Sequence, residues 1–295
     1  MPDTLTETWT HHTIRTNGIN MHYVTQGAGL LLVLLHGFPE FWYSWRHQIP
    51  VLAAQGYRVV APDLRGYNET DKPKSGYDVP TLLRDIAGLI TGLGEERAII
   101  VGHDWGGILA WQFAIDYPHM TTHLIGLNAP HPAAMMRELR SFKQMRKSWY
   151  IFFFQLPWLP EYWLSKNNAH EIGRMLRGAA YQKAAFPRTE TAKYQAAMSK
   201  PGAVKAALNY YRQLMRRGPR AYRNRNLQVA APTLLVWGER DIALGIELTQ
   251  GLDPWVPNLR LKRIPDSGHW VQQEQPEQVN QYMIEFLRDE QKVKE

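Results

Sequence analysis

Cysteine is absent from the 295-residue chain, which excludes disulfide scaffolds, thiolate metal sites, iron–sulfur clusters and cysteine nucleophiles together. Long apolar runs are missing too. The longest, Gly29 to Leu35, falls far short of the ~20 residues a membrane-spanning helix needs. Met1 to His12 shows neither the basic start nor the apolar stretch of a secretory leader. Acidic residues are scarce in one region only. Between His131 and Leu227 stand 19 Lys and Arg against 4 Asp and Glu, and the flanking pieces together hold 15 against 23. The net charge of +7 therefore conceals a basic insert in an acidic host, a shift that marks a module boundary. What is plentiful excludes disorder: 44% of residues are hydrophobic, with 11 Trp and 14 Tyr. The expectation is a soluble, cytoplasmic protein with no integral membrane segment.

The densest basic run holds Arg212, Arg216, Arg217, Arg220, Arg223 and Arg225. Only Tyr222 interleaves with its last four members, no nucleic-acid motif surrounds it, and Gly218-Pro219 breaks the helix. It reads as a solvated connector, and no nucleic-acid partner is expected.

Periodicity divides the chain in three. Residues 1–130 alternate strands (Ile19 to Gln26, Leu30 to Leu35, Tyr57 to Ala61, Arg97 to Val101, Thr122 to Asn128) with helices (Trp42 to Gln55, Val79 to Leu93, Trp105 to Tyr117). Such alternation requires right-handed crossovers and a mostly parallel sheet. Residues 131–227 read as helices throughout: Glu138 to Lys147, Glu161 to Lys166, His170 to Arg177, Thr189 to Met198 and Ala203 to Arg216. Residues 228–295 resume the sheet with Thr233 to Trp237 and Leu259 to Ile264, and close with a helix from Pro276 to Arg288. The fold class is thus α/β, a twisted sheet flanked by helices and interrupted by an all-helical insertion.

The segment Ile99-Ile100-Val101-Gly102-His103-Asp104-Trp105-Gly106-Gly107 delivers a buried strand into a helix through a glycine-flanked turn. That is the setting of a strained nucleophile, with Asp104 at its apex, although an Asp there also suits an ordinary helix N-cap. A carboxylate attacking an acyl carbon would give a reactive anhydride. Attack on an sp³ carbon gives a stable ester, so an alkyl electrophile is expected. Hydrolysing the ester then needs a base for water and donors for an oxyanion. The turn His36-Gly37-Phe38-Pro39 supplies the Phe38 N–H, and the helix start supplies the Trp105 N–H. The acid and base are expected late in the chain, which selects Asp241 and His269, with Glu239 as a surface rival. His36 and His103 read as hydrogen-bonding support. No metal or cofactor is expected, since His170-Glu171 lacks a second His at helical spacing.

With these motifs the chain resembles the α/β-hydrolase family, and within it the epoxide hydrolases, over nearly its whole length. The stretch Asp63-Leu64-Arg65-Gly66-Tyr67-Asn68 and the helical insertion, the cap of such enzymes, add to the likeness. The resemblance implies that two cap tyrosines hold the epoxide oxygen. Leu208-Asn209-Tyr210-Tyr211-Arg212 matches one motif through Tyr211, and the segment Trp149 to Pro157 matches the other through Tyr150, with Tyr210 and Tyr181 as alternates. It also implies a cis Phe38-Pro39 bond. Independently, the basic insert is expected as a lid over the carboxyl ends of the strands, where the site of an open α/β sheet lies and where the acidic host would attract it. Phe38, Trp42, Trp105, Phe153, Phe154 and Trp270 suggest a pocket for an apolar or aromatic epoxide. Haloalkane dehalogenases are the nearest rival, sharing the Asp nucleophile and the following Trp105, but they often have Asn where Phe38 stands. A hydrolase-fold binding module without activity is the alternative from another class.

Overall fold

The computed structural model describes residues 8–217 and 225–292. Its centre is one sheet of eight strands: β1 (Thr10–Thr16), β2 (Ile19–Gln26), β3 (Leu30–Leu35), β4 (Tyr57–Pro62), β5 (Ala98–His103), β6 (Thr121–Leu127), β7 (Thr233–Gly238) and β8 (Leu259–Ile264). Their spatial order is β1-β2-β4-β3-β5-β6-β7-β8. The β1-β2 and β2-β4 pairings are antiparallel, and all others are parallel. Parallel strands are covered on both faces, which is why β3 and β5 are almost continuously apolar and buried. After β3 the chain moves to one side to form β4 and then crosses back to form β5 on the other. The loops leaving β3 and β5 diverge at that reversal and open a crevice at the carboxyl ends of the strands.

Helices α1 (Ile49–Ala54), α2 (Val79–Gly92) and α3 (Asp104–Asp116) follow the early strands. Between β6 and β7 come α4 (Pro132–Glu138), α5 (Phe142–Lys147), α6 (Trp149–Phe153), α7 (Leu159–Ala179), α8 (Arg188–Met198) and α9 (Ala203–Arg217). Short α10 (Val271–Glu274) and the long α11 (Pro276–Lys292) end the fold, with α11 against α1 and α2 against α3. Opposite charges link the insertion to the sheet domain: Lys143 meets Glu247, Lys200 meets Glu69, Arg225 meets Asp116, and Arg46 meets Glu190. Of the arginine run, Arg212 forks onto Glu161 at 2.6 and 3.0 Å and holds α9 to α7; Arg220, Tyr222 and Arg223 lie outside the described residues. Among the described residues, no helix is long and apolar enough to cross a membrane.

Three element assignments need correction. The expected helix from Trp42 to Gln55 is a 3-10 turn, Trp42–Trp45, followed by α1. Pro50 in the first turn of α1 has no N–H and would clash with the carbonyl of Arg46, so one continuous helix is impossible. The expected helix from Glu138 to Lys147 is two, because Ser141 caps a new start by accepting the Gln144 N–H at 3.2 Å. Strand β1 was not anticipated. Its Thr and His residues are mostly exposed and leave no apolar face, yet Asn17-Gly18, at φ 42° and 82°, makes a tight hairpin into β2. By contrast, the break expected between Glu161 to Lys166 and His170 to Arg177 is present inside α7. There Asn167, Asn168 and Ala169 adopt left-handed φ of 51°, 54° and 54°.

The close approach of β3 to α3 generates a prediction. A Cβ on Gly106 would lie 2.0 Å from the Leu35 carbonyl oxygen and 2.5 Å from that of His36, both backbone atoms that cannot swing aside. Gly106→Ala should destabilise the fold by about 1–3 kcal/mol, seen as a lower denaturant midpoint. In Gly178→Ala the new methyl meets no atom within 4 Å and the host is helical, so stability should hold or rise slightly. Equal losses in both variants would contradict this account of the turn.

Candidate active site

Asp104 is the first residue of α3 and has φ +48°, a left-handed conformation that a side chain adopts only under constraint. His103, not Asp104, holds the cap position, and it makes no side-chain cap bond, so the ordinary N-cap reading fails. Glycine at 102 is required because a Cβ there would come within 2.2 Å of the Gly106 carbonyl oxygen. The turn therefore lifts the Asp104 carboxylate into the crevice between the loops after β3 and β5. The Phe38 N–H donates to Oδ2 at 2.8 Å, and the Trp105 N–H also hydrogen-bonds the carboxylate. The Phe38-Pro39 peptide bond is cis.

Two later loops complete the constellation. Asp241 follows β7 and accepts His269 Nδ1–H on Oδ2 at 2.8 Å. The Asn128 side-chain amide reaches the same oxygen at 2.7 Å, and the N–H groups of Ala243 and Leu244 reach Oδ1 at 2.7 and 2.9 Å. His269 Nε2 points to Asp104 Oδ1 at 3.8 Å, beyond hydrogen-bond length. Glu239 is exposed, as its place in the turn suggested.

Burial and charge act against each other here. Desolvation would lower the His269 pKa, but the adjacent Asp241 charge and hydrogen bond, with Asp104 behind them, push it up to about 9. Desolvation would raise Asp241, yet His269 and its hydrogen bonds leave it below its ordinary value. For Asp104 desolvation prevails, and its pKa lies above the usual carboxylate value despite His269 and His103.

Tyr150 on α6 and Tyr211 on α9 close the crevice from the insertion. Their rings are 6.0 Å apart, and Tyr211 lies 5.0 Å from Trp105 and 5.4 Å from Phe38. Burial, and then the Asp104 charge, raise both phenol pKa values above the ordinary tyrosine value, so both hydroxyls keep their protons. The Trp105 indole stands edge-on to the Tyr211 ring, at 87°. Phe154 joins this group, 5.7 Å from Phe38 and 5.0 Å from Tyr211. Trp270 backs His269 at 4.6 Å and is tied by its indole N–H to the Leu176 carbonyl at 3.0 Å.

Two expected pocket residues lie elsewhere. Trp42 packs against Trp9, His11, Phe41 and Tyr43 beside the β1 edge. Phe153 turns toward Trp149 and Trp163, because one residue's step along a helix rotates it away from the face that carries Phe154. The alternate tyrosines are also accounted for: Tyr210 donates to the Arg65 carbonyl at 2.7 Å, and Tyr181 is 47% exposed.

Glu40 was overlooked in the sequence, and so was Asn128. Glu40 is buried just after the Phe38-Pro39 turn, where it accepts from the Gly37 N–H at 3.0 Å and pairs with His103 Nδ1 at 2.8 Å. The other His103 nitrogen reaches the His269 carbonyl at 2.8 Å. His36 is neutral: its Nε2 accepts the Leu64 N–H at 3.0 Å and burial lowers its pKa. Among the described residues, no group of three or more His, Asp or Glu side chains is arranged to share a metal ion.

Comparison with known proteins agrees with this geometry. Residues 31–276 match the alpha/beta hydrolase fold family. The AB hydrolase superfamily protein YfhM of Bacillus subtilis is 41% identical over 282 residues, which span 94% of this chain and 97% of that protein. Epoxide hydrolase 4 of Homo sapiens is 38% identical over 292 residues, 96% of this chain and 79% of that protein. The crystal structure of Bacillus megaterium epoxide hydrolase in complex with an inhibitor has a TM-score of 0.87 at 33% identity, covering 94% of this chain and 100% of the other. Its motifs, its strand order and these relatives make the chain a member of the alpha/beta hydrolase fold family, in the branch that includes the epoxide hydrolases.

Proposed function

We propose that this hydrolase opens apolar or aromatic epoxides to vicinal diols through a covalent alkyl ester of Asp104. The observation that carries the reading is the placement of two tyrosines, half-buried Tyr150 and buried Tyr211, with rings 6.0 Å apart and Tyr211 5.0 Å from Trp105, both kept protonated by raised pKa values. An epoxide opens to an alkoxide, a poor leaving group that needs a proton or strong hydrogen bonds, and phenols supply both. A departing halide needs neither. The Trp105 indole, which a dehalogenase would direct at halide, instead packs edge-on against the Tyr211 ring at 5.0 Å. We also propose that residues 131–227 act as the lid that brings these phenols to the site.

In this mechanism Asp104 attacks an epoxide carbon from behind the breaking C–O bond while a tyrosine protonates the leaving oxygen. The new ester carbonyl keeps the Phe38 and Trp105 N–H donors that already hold the carboxylate, so the hole is filled before the second step begins. Alkylation removes the Asp104 charge, one of the three, with Asp241 and Glu40, that hold His269 at about 9. The imidazolium then releases its proton more readily and can restore the phenol. Neutral His269 draws a proton from water as that water attacks the ester carbon, and the Phe38 and Trp105 N–H groups stabilise the tetrahedral oxyanion. His269 returns the proton to the departing diol oxygen, and the proton that the added water leaves on the Asp104 carboxyl then passes to His269, restoring carboxylate and imidazolium.

Three outcomes are expected. His269→Gln should form the ester but not hydrolyse it, so intact-mass spectrometry should find the protein heavier by one whole epoxide; Asp104→Ala should gain nothing. An unmodified His269→Gln protein beside an active wild type would point to direct attack by water. Tyr150→Phe and Tyr211→Phe should each slow single-turnover epoxide opening by roughly 10²- to 10³-fold, and the double variant much further, with haloalkane turnover far less sensitive. Unchanged opening in the double variant would defeat the mechanism. The third outcome concerns pH and stability. His269 titrates near 6.5 when unfolded and at about 9 when folded, so its contribution is complete below pH 6.5 and is lost as pH rises through about 9. The thermal midpoint should fall across that window in wild type, and the fall should flatten in His269→Gln. An identical slope in both proteins would refute the raised pKa.

A further inference from the structure

The surface of the insertion carries a feature that ester chemistry does not use. Eight of the twelve exposed large apolar side chains among the described residues fall between Phe142 and Tyr162. Within α5, α6 and the turn that follows, Phe142, Met145, Trp149, Phe152 and Leu156 recur at steps of three and four residues, the spacing of one helical face. The opposite face carries Gln144, Ser148, Ile151 and Phe154, all buried. The helices therefore present one face to the protein interior and a second apolar stripe to solvent, the reverse of what a freely soluble helix needs.

Beyond the stripe, Trp158 is 71% exposed and held at φ +52°, a backbone state costly for a bulky residue. Trp149, Phe153, Leu159, Tyr162 and Trp163 border a solvent-open recess of about 390 Å³. Charge identifies what this face would meet. Residues 139–160 contain four Lys and Arg and no Asp or Glu. Arg140, Lys143 and Arg146 are exposed, and Arg140 and Arg146 have no ion-pair partner among the described residues. A second copy seated here would oppose cation to cation. Aromatic side chains interleaved with Lys and Arg instead match a headgroup boundary, where rings enter the acyl region and cations meet lipid phosphate.

We propose that the face built from α5, α6 and the start of α7 docks reversibly on an anionic lipid surface. Docking would set the insertion against the reservoir into which apolar substrates partition. Rings run inward from that face, with Trp149 6.2 Å from Phe153, Phe153 6.0 Å from Phe154, and Phe154 5.7 Å from Phe38.

The test is co-sedimentation of the whole chain with phosphatidylcholine vesicles, with and without phosphatidylglycerol. Binding to the anionic vesicles should be at least about tenfold stronger than to the neutral ones and should weaken as salt is added. The combined Phe142→Ser, Phe152→Ser, Trp158→Ser variant should lose about tenfold or more in partitioning at an unchanged thermal midpoint. Arg140→Glu with Arg146→Glu, which leaves the apolar stripe intact, should reduce anionic binding to the neutral level. Absence of vesicle binding, equal binding by wild type and the charge variant, or a solution dimer abolished by the apolar triple variant would overturn the proposal; the last would make the face a contact between copies. Because the readout is vesicle binding, either result leaves the chemistry of Asp104 as it stands.

Discussion

Asp104 and Asp241 both lean on His269, one across a 3.8 Å gap and the other through a 2.8 Å hydrogen bond, in a site nearly closed to water. In such surroundings unpaired charge is expensive, and a protonated imidazole cuts the net charge of the trio from −2 to −1. The rest of the site serves that balance. Four groups besides the solvent-poor surroundings bear on Asp241: the ring of His269, the amide of Asn128, and two backbone N–H groups. Asp104 has its own pair of N–H donors and needs no cation of its own. In the mechanism proposed above, ester formation would remove one charge from the set and so loosen the hold on the His269 proton with no rearrangement of the backbone.

The loops bearing these groups come from distant parts of the chain, and one buried carboxylate binds them together from behind. Glu40 collects the Gly37 N–H, His103, and the side-chain amides of Gln272 and Gln273 at 3.1 and 2.8 Å. His103 carries the connection onward to the carbonyl of His269. A buried carboxylate of this kind is tolerable because its oxygens are so fully hydrogen-bonded. Its consequence is geometric: the Phe38 turn and the loop that carries His269 are referenced to the same side chain.

Legibility in the sequence followed how local each signal was. Asp104, Asp241, His269 and the Phe38 turn were readable because each sits where a strand ends in a tight turn, and tight turns restrict which residues can serve. The mostly parallel sheet and the helical insertion followed from periodicity, whereas the spatial order of the strands came only with the structure. Glu40 and Asn128 were missed because their partners lie 63 and 113 residues away, and neither belongs to a local pattern. Trp42 and Phe153 were misplaced for a related reason: an aromatic residue near a motif has no signal for which way it faces. The β1 strand was hidden by its exposed Thr and His, although Asn17-Gly18 marked the hairpin that makes it.

Helix α6 is only five residues long, from Trp149 to Phe153, yet it separates the catalytic crevice from solvent. Tyr150 faces inward while Trp149 and Phe152 face out, and Phe154 follows at its end. No layer of neutral residues lies between the two faces. A substitution on the outer face of α6 therefore falls within the same five residues that carry the inner Tyr150 hydroxyl, and the two surfaces cannot be altered independently of one short backbone segment.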